Sequence, residues 1–181
     1  FFDLAEAGKL TIPDAEAARR LYDLTQEVCG AAGLPSYEIS NHARPGQECR
    51  HNLLYWRYGE YVGVGPGAHG RVVTAEGRIA NANEKLPERW LERVEQAGHG
   101  AEALETLSAE NQADEFLLMG LRLKEGIDPK RFEILRGRPL DPSRIADLKG
   151  YGFIEEDADG RMRVTAEGFP VLDAVVADLA A

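Results

Sequence analysis

Cysteine and methionine are scarce in this sequence of 181 residues, which contains two of each. Cys29 and Cys49 are widely separated, so they supply neither a disulfide framework nor a CxxC metal-binding pair. A zinc or iron–sulfur site built from this chain alone is therefore not expected. Cys29 falls on the apolar side of a predicted helix, where we interpret it as a small core residue rather than a reactive thiol.

Long hydrophobic runs are also absent. No apolar run approaches the roughly 20 residues that a membrane-spanning helix needs, and the first residues have no signal-peptide pattern. The sequence starts at Phe1 without an initiator methionine, as a segment cut from a longer polypeptide would. We expect a cytoplasmic location, including a peripheral position at a membrane surface.

Basic residues are in the minority, with 21 lysines and arginines against 31 acidic residues and a net charge of -10. A surface that follows nucleic-acid phosphates needs a local excess of positive charge. We therefore expect no general nucleic-acid binding. The hydrophobic fraction of 44% is enough for one sizeable domain or two small ones.

Helix signals recur along the chain. Thr11 to Asp14 combines a capping threonine with an early proline, and Gly33 is a C-cap signal. These signals predict a helix between them, with a buried face that includes Leu21 and Val28. The other predicted helices are residues 50–58, as a short helix or an irregular turn, 86–98 or 86–100, 108–124, 128–135, 142–149 and 169–180.

Alternating apolar residues predict the strands. Leu34 to Ser40 alternates directly after the first helix, an order typical of an α/β unit. The polar residues at its end either belong to a site or only cap the strand; they are Glu38, Ser40, Asn41 and His42. The other predicted strands are 72–75 and 78–81, joined by a Glu76-Gly77 turn, and 150–154 and 162–165.

The last third of the sequence has the order of a winged helix, with short helices followed by a β-hairpin. Such domains often bind DNA through their second helix. Here that helix, PSRIADLKG, carries only Arg144 and Lys149 as basic residues. A structural or protein-contacting role is therefore the favoured interpretation.

The segment from Cys49 to Gly70 concentrates histidines, aromatic rings and glycines. On a helix, His51 would lie one turn from Tyr55, and Asn52 one turn from Trp56. An imidazole can ligate a metal, and flat rings suit a planar conjugated ligand. On spacing alone, ordinary packing at a core boundary remains an alternative.

The glycine run GVGPGAHG, residues 63–70, follows this segment. Its backbone groups could face an adenine or a phosphate. The run is neither a GxGxxG motif nor a P-loop, because no GK[ST] follows it. The spacing by itself leaves its ligand open.

The stretch SYEISNHARPGQECRHNLLYWRYGEYVGVGPGAHG resembles the C-terminal half of the radical-SAM barrel in the oxygen-independent coproporphyrinogen III oxidase family. The similarity is specific over residues 13–70 and extends towards the end of the chain, where the family carries a small C-terminal domain. HNLLYW at residues 51–56 matches the HNxxYW motif associated with haem binding in the haem-chaperone branch. The oxidases share Ala43-Arg44-Pro45 and the glycine run but lack HNxxYW, so the resemblance favours the chaperones.

The resemblance implies an α/β fold in two domains. Residues 1–100 would be the C-terminal part of a radical-SAM, partial TIM-like barrel. Residues 101–181 would be a small, mainly helical, winged-helix-like domain. The family's CxxxCxxC cluster motif is not in this sequence, so the resemblance assigns the [4Fe-4S] cluster to a half of the protein that this chain lacks.

The resemblance also implies roles for individual residues. His51 would contact haem and is the candidate ligand of its iron, in a pocket shaped by Asn52, Tyr55 and Trp56. The backbone around Gly65, Gly67 and His69 would form one wall of the S-adenosylmethionine (SAM) pocket. No catalytic residue is implied for this chain.

Three function classes follow from these features. The first is a haem-binding and haem-delivery protein, the second an oxygen-independent coproporphyrinogen III dehydrogenase, and the third a winged-helix interaction module. Expected partners are haem, the missing N-terminal half of the barrel, and a haem-accepting or membrane-associated protein. A barrel cut in half exposes strand edges and apolar faces, so self-association is a further expectation.

Overall fold

The structure is a computed structural model that describes residues 2–181 and mixes helices with strands, as predicted. It divides into two compact units, the first ending at Glu48 and the second running from Cys49 to Ala181. No helix within residues 2–181 is both long and apolar enough to span a bilayer. Each unit has its own arrangement of elements.

The first unit contains helices α1 (Phe2–Glu6) and α2 (Ala15–Ala31). The prediction that Thr11 caps α2 is wrong. Asp14 is the N-cap, and its carboxylate accepts a hydrogen bond from the amide of Ala17 at 2.7 Å. The predicted end is confirmed at Gly33, which has a φ of 75°. The amide of Leu34 then bonds to the carbonyl of Cys29, closing a Schellman motif.

The predicted buried face of α2 is not buried. Leu21 and Val28 are 54% and 58% exposed, and Cys29 is only partly buried. A unit of this size has few apolar side chains with which to cover a helix of 17 residues. The periodicity identified the apolar side of α2 correctly but not its burial.

The predicted strand from Leu34 to Ser40 is also wrong. An isolated antiparallel bridge joins Ser36 to His42, and the amide of Tyr37 donates to the carbonyl of Asn41 at 3.1 Å. Inside this reversal, the carboxylate of Glu38 accepts hydrogen bonds from the amide and hydroxyl of Ser40. Such local side-chain bonds offer the backbone an alternative to an extended strand.

The second unit begins with α3 (Arg50–Trp56) and a three-stranded antiparallel sheet, formed by β1 (His69–Thr74), β2 (Gly77–Asn83) and β3 (Ala101–Thr106). The β1–β2 hairpin confirms the prediction, although Thr74 pairs with Gly77, so that Ala75 and Glu76 form the turn. Helix α4 (Pro87–Ala97) ends at Gly98 as predicted. Strand β3 was not predicted. It follows residue 100, where the sequence predicts a domain boundary, and pairs with β2, which precedes that residue. The boundary itself stays a prediction.

The rest of the second unit confirms the winged-helix order. Three helices come first, α5 (Ala109–Gly120), α6 (Pro129–Arg136) and α7 (Pro142–Gly150). The hairpin of β4 (Ile154–Glu156) and β5 (Met162–Val164) follows, then a 3-10 turn (Phe169–Val171) and α8 (Leu172–Ala180). An antiparallel bridge from Ile127 to Met162 adds a third extended segment to the hairpin.

The main core lies in this C-terminal part. Helix α5 ends before the predicted Lys124 and contributes the buried side chains of Ala113, Phe116 and Leu117. The residues with less than 2% exposure include Leu117, Leu121, Leu123, Ile127 and Val175. Helix α3, which carries His51, packs against α5 of this core.

Candidate functional site

Helix α3 carries the HNLLYW segment and confirms the predicted spacing of its rings. The rings of His51 and Tyr55 meet edge to face, with their centroids 4.7 Å apart and an interplanar angle of 76°. The ring of Tyr55 also packs against that of Tyr61, with the two ring centroids 4.2 Å apart. His51 is exposed. We call these three residues the aromatic row; the imidazole at its end is open to solvent.

Trp56 belongs to a different part of the surface. It lines a cavity of about 230 Å³ together with Phe116, Leu123 and Ile127, a volume below the range of most ligand pockets. Its indole Nε1 is buried without a hydrogen-bond partner among the described residues, and the Arg122 guanidinium lies 5.5 Å from its ring. Of the four residues predicted to shape one pocket, His51 and Tyr55 therefore belong to the aromatic row, whereas Trp56 lines this cavity.

The end of α3 is fixed by an unusual residue. Tyr58 has a φ of 52°, a left-handed conformation that a residue with a side chain rarely adopts. Its amide donates to the carbonyl of Tyr55, and the amide of Gly59 donates to the carbonyl of Leu54 at 2.8 Å. A Cβ at Gly59 would lie 2.5 Å from Leu54 Cδ1. This Schellman motif sets the direction in which the chain leaves α3.

Two arginines from other elements cover the carbonyl groups at this end of α3. Arg78 donates to the carbonyl of Gly59 at 2.6 Å. Arg131 donates to the carbonyls of Arg57 at 2.7 Å and Tyr58 at 3.0 Å. Positive charge at the C-terminal end of a helix complements the helix dipole and the unpaired carbonyls there.

The side chain of Tyr58 joins α3 to α5 and β1. It is 3% exposed, and its hydroxyl donates to Glu115 Oε2 at 2.9 Å. Arg71 holds the same carboxylate through Nη2 at 2.7 Å and Nε at 3.1 Å. Burial and the hydrogen bond to Glu115 raise the pKa of Tyr58, so the phenol stays neutral and remains a donor.

Sequence reasoning missed this Tyr58–Glu115–Arg71 network. Its members come from three elements that are distant in the sequence, and no local periodicity joins them. Burial of Glu115 opposes its ionisation, but the hydrogen bonds from Arg71 and Tyr58 outweigh that effect and hold its pKa below the usual value. The network is ionic at neutral pH and anchors α3.

The predicted cofactor wall is a loop held by Asn83, the last residue of β2, and by Glu84, which comes next in the chain. Gly65 and Gly67 have φ angles of 96° and 67°. The side-chain amide of Asn83 donates to the carbonyls of Gly65 at 2.9 Å and Gly63 at 3.3 Å. The amide of Gly67 donates to the carbonyl of Glu84 at 2.8 Å. The glycines are therefore needed for backbone conformation.

The loop leaves part of its backbone open. No atom lies within 4 Å of the position that a Cβ would take at Gly65. At Gly63 a Cβ would collide with the carbonyl of His69, the exposed first residue of β1. The neighbouring Val64 is 84% exposed. This combination of an uncovered backbone and an apolar side chain suits close approach by another molecule.

Asn83→Ala is expected to lower the free energy of unfolding by about 1–3 kcal/mol, because two partly buried carbonyl groups lose their hydrogen bonds to Asn83. Hydrogen exchange at the amide of Gly67 should accelerate as the loop loosens. Urea denaturation and amide exchange by nuclear magnetic resonance measure the two effects. Asn111→Ala, on the exposed first turn of α5, is the control, and equal losses in both variants would contradict the role given to Asn83.

Potential metal-ligating side chains are dispersed in the part of the chain that the structure describes. Within residues 2–181, no group of three or more histidine, cysteine, aspartate or glutamate side chains is arranged to hold a metal ion. A [4Fe-4S] cluster is held by cysteine thiolates, typically four, whereas the sequence has two. The residues of this chain do not fit such a cluster.

The sequence is similar to those of several known proteins. The sequence model described as "HemN C-terminal domain" matches residues 107–171. The chain is 34% identical to "Radical S-adenosyl methionine domain-containing protein 1, mitochondrial" from Danio rerio, over 97% of the chain and 41% of that protein. It is 32% identical to "Heme chaperone HemW" from Bacillus subtilis, over 93% of the chain and 44% of the relative.

A solved structure supports the fold. Coproporphyrinogen III oxidase (HemN) from Escherichia coli, described as a radical SAM enzyme, matches with a TM-score of 0.67 at 15% identity. The match covers 93% of this chain and 42% of that one. The chain thus spans less than half the length of these relatives.

The fold and these similarities define the class: a HemN-like protein segment that mixes helices and strands and includes a HemN-type C-terminal domain. Within that class, the chain belongs to the HemW/HemN-like family and corresponds to the C-terminal part of its members.

Proposed function

We propose that this chain is the haem-contacting part of a radical-SAM haem chaperone. The observation that carries the proposal is the exposed imidazole of His51 at the end of the aromatic row, on a helix whose far end is fixed. The relatives named as haem chaperones support the choice of ligand. Haem is cargo in this proposal, taken up and delivered without being chemically changed.

The residues of α3 would have separate tasks. His51 would contact the haem and ligate its iron through a neutral imidazole. Tyr55 would hold the imidazole edge and offer ring surface to the porphyrin. Asn52 would orient the ligand by hydrogen bonding, and Trp56 would support α3 from the cavity at its other side.

The glycine loop would serve a second ligand in the complete protein. Gly65, Gly67 and His69 would form one wall of a SAM pocket, in which the open backbone at Gly65 lies against the cofactor. Bound to a cluster, SAM supplies radical chemistry. The cluster would be held by residues outside this chain, so the contribution proposed for this loop is binding alone.

Titration with haemin tests the main proposal. The chain should shift the Soret band of haemin, and His51→Ala should weaken the binding by about tenfold or more, equivalent to about 1.4 kcal/mol. His99→Ala removes another exposed histidine and is the matched control. An unchanged spectrum and affinity in His51→Ala would sink the proposal.

The alternative function is dehydrogenation of coproporphyrinogen III, in which a 5′-deoxyadenosyl radical abstracts hydrogen from the propionate side chains. The likeness to the Escherichia coli oxidase supports only the fold of this alternative. Conversion of coproporphyrinogen III by the reduced full-length protein with SAM would favour it over haem delivery.

The proposed partners are a haem-accepting or membrane-associated protein and the other half of the barrel. Leu21, Leu24 and Val28 form an exposed apolar face on α2 that supports association with that half or with a second copy. The expected cytoplasmic location remains a prediction.

A further inference from the structure

A groove in the winged-helix part of the chain is separate from the residues assigned to haem and SAM. It has a volume of about 680 Å³ and lies between α7 and α8, closed at one end by the residues that lead into β4. This volume is within the range of sites that bury a ligand or a group of anchoring side chains. None of the residues that line it has a role in the proposed function.

The floor of the groove is apolar. Leu148 and Val175 are 6% and 1% exposed and form its base. Tyr151 is 70% exposed at the rim, and its ring lies 5.9 Å from that of Phe153, with an angle of 44°. Large aromatic side chains at the edge of an apolar depression are frequent anchors of protein–protein contacts.

The charge of the groove is negative. Arg144 is neutralised by Asp178, with Nη1 2.6 Å from Oδ1. Asp141 accepts hydrogen bonds from the amide and hydroxyl of Ser143, which lower its pKa and keep it ionised. Asp147 has no ion pair or side-chain hydrogen bond among the described residues. The carboxylates of Asp141 and Asp147 therefore flank the apolar floor, in addition to the paired Arg144 and Asp178.

The same charges exclude the usual ligand of a winged helix. Helix α7 occupies the position of the helix that reads DNA in winged-helix proteins. Its cations are Arg144 and Lys149, and both are paired, Lys149 with Glu156 at 2.7 Å. A helix with no free cation and with exposed aspartates repels phosphate. A positively charged partner complements this surface.

We propose that the groove between α7 and α8 docks a basic amphipathic helix of a partner protein. Apolar side chains of that helix would enter the groove over Leu148 and Val175, against the ring of Tyr151. Lysine or arginine side chains on its flanks would meet Asp141 and Asp147. Helix α7 has nine residues and is about 13 Å long, which matches two to three turns of such a helix.

A fluorescein-labelled, 14-residue amphipathic peptide of leucine and lysine is the probe, with fluorescence anisotropy at about 0.15 M salt as the readout. Asp147→Lys should weaken its binding by about tenfold, because it reverses a charge at the rim. Tyr151→Ala should weaken it by a similar factor, because it removes the anchor ring.

Two matched controls separate docking from general attraction to an acidic chain. Glu133→Lys makes the same charge change on the exposed face of α6, and Ile134→Ala removes a side chain that is 81% exposed there. Both should change the affinity by less than about threefold.

Equal weakening in Asp147→Lys and Glu133→Lys would overturn the proposal, because it would mean non-specific attraction. Equal binding of a leucine–glutamate peptide would also overturn it. So would Tyr151-dependent binding of a DNA duplex or of phosphatidylserine vesicles instead of the peptide. These readouts are independent of haemin, so the groove and the haem site can fail separately.

Discussion

Replacing Gly126 with alanine is expected to destabilise the second unit by about 3–4 kcal/mol. Gly126 has a φ of 64° and is buried beside the hairpin. A Cβ there would collide with the carbonyl of Met162 and lie 2.7 Å from Arg163 Cβ. The left-handed conformation adds about 1 kcal/mol to the cost of overpacking. Ile127 follows Gly126 in the chain, and its β-bridge to Met162 would have to open.

Gly137→Ala is the matched control for this variant. Gly137 has a similar φ of 80°, but no atom lies within 4 Å of its Cβ position. Its replacement should cost only about 1 kcal/mol, the conformational part of the effect. Urea denaturation of both variants measures the difference. Equal decreases in the free energy of unfolding would show that the close approach of the hairpin to Gly126 does not contribute to the cost of the substitution.

Glu115→Ala is the second substitution with a large expected effect. It removes the shared acceptor of Tyr58 and Arg71, so that the buried phenol loses its hydrogen bond and the guanidinium loses its carboxylate partner and keeps the bond to the carbonyl of Gly70. Breaking a buried ion pair costs about 3–5 kcal/mol. Because the Arg71 and Glu115 side chains are 20% and 24% exposed, we expect about 2–4 kcal/mol. Glu133→Ala, on the exposed face of α6, should change the free energy of unfolding by less than about 0.5 kcal/mol.

The same carboxylate makes stability depend on pH. The pKa of Glu115 is lowered in the folded chain, so its ionisation stabilises the fold above the unfolded value of about 4.3. That contribution is lost as the pH falls through the lowered folded pKa. Urea midpoints between pH 6 and pH 3 should therefore fall more steeply for the native sequence than for Glu115→Gln. Parallel curves would contradict the assignment.

Elements with local chemical signals could be predicted from the sequence. Pro87 and Gly98 delimit α4 as expected, because proline fits the first turn and glycine accepts the left-handed C-cap. The β1–β2 hairpin followed from its alternating residues and its turn. The ring contact between His51 and Tyr55 followed from the helical spacing alone. Each of these features depends on residues within a few positions of one another.

Features that depend on distant partners could not be predicted. The apolar residues of α2 are spaced for burial, but burial needs a covering surface that no periodicity reveals. Strand β3 has mostly alanine and glutamate and forms because β2 offers an edge. The separation of Trp56 from His51 depends on the cavity that α5 and Ile127 provide. Ring spacing alone did not select haem as the ligand of His51; that expectation came from the match of HNLLYW to the HNxxYW motif.

The left-handed Tyr58 has a consequence for how the chain can be divided. Its hydroxyl is held by Glu115 of α5, the neighbouring Arg57 by Glu125, and the carbonyls of both by Arg131 of α6. Any shortened version of the chain that ends before α5 would remove all three anchors at once. The HemN-type C-terminal domain therefore holds the HNLLYW helix in place. The smallest fragment that keeps His51 in its present position must include that domain.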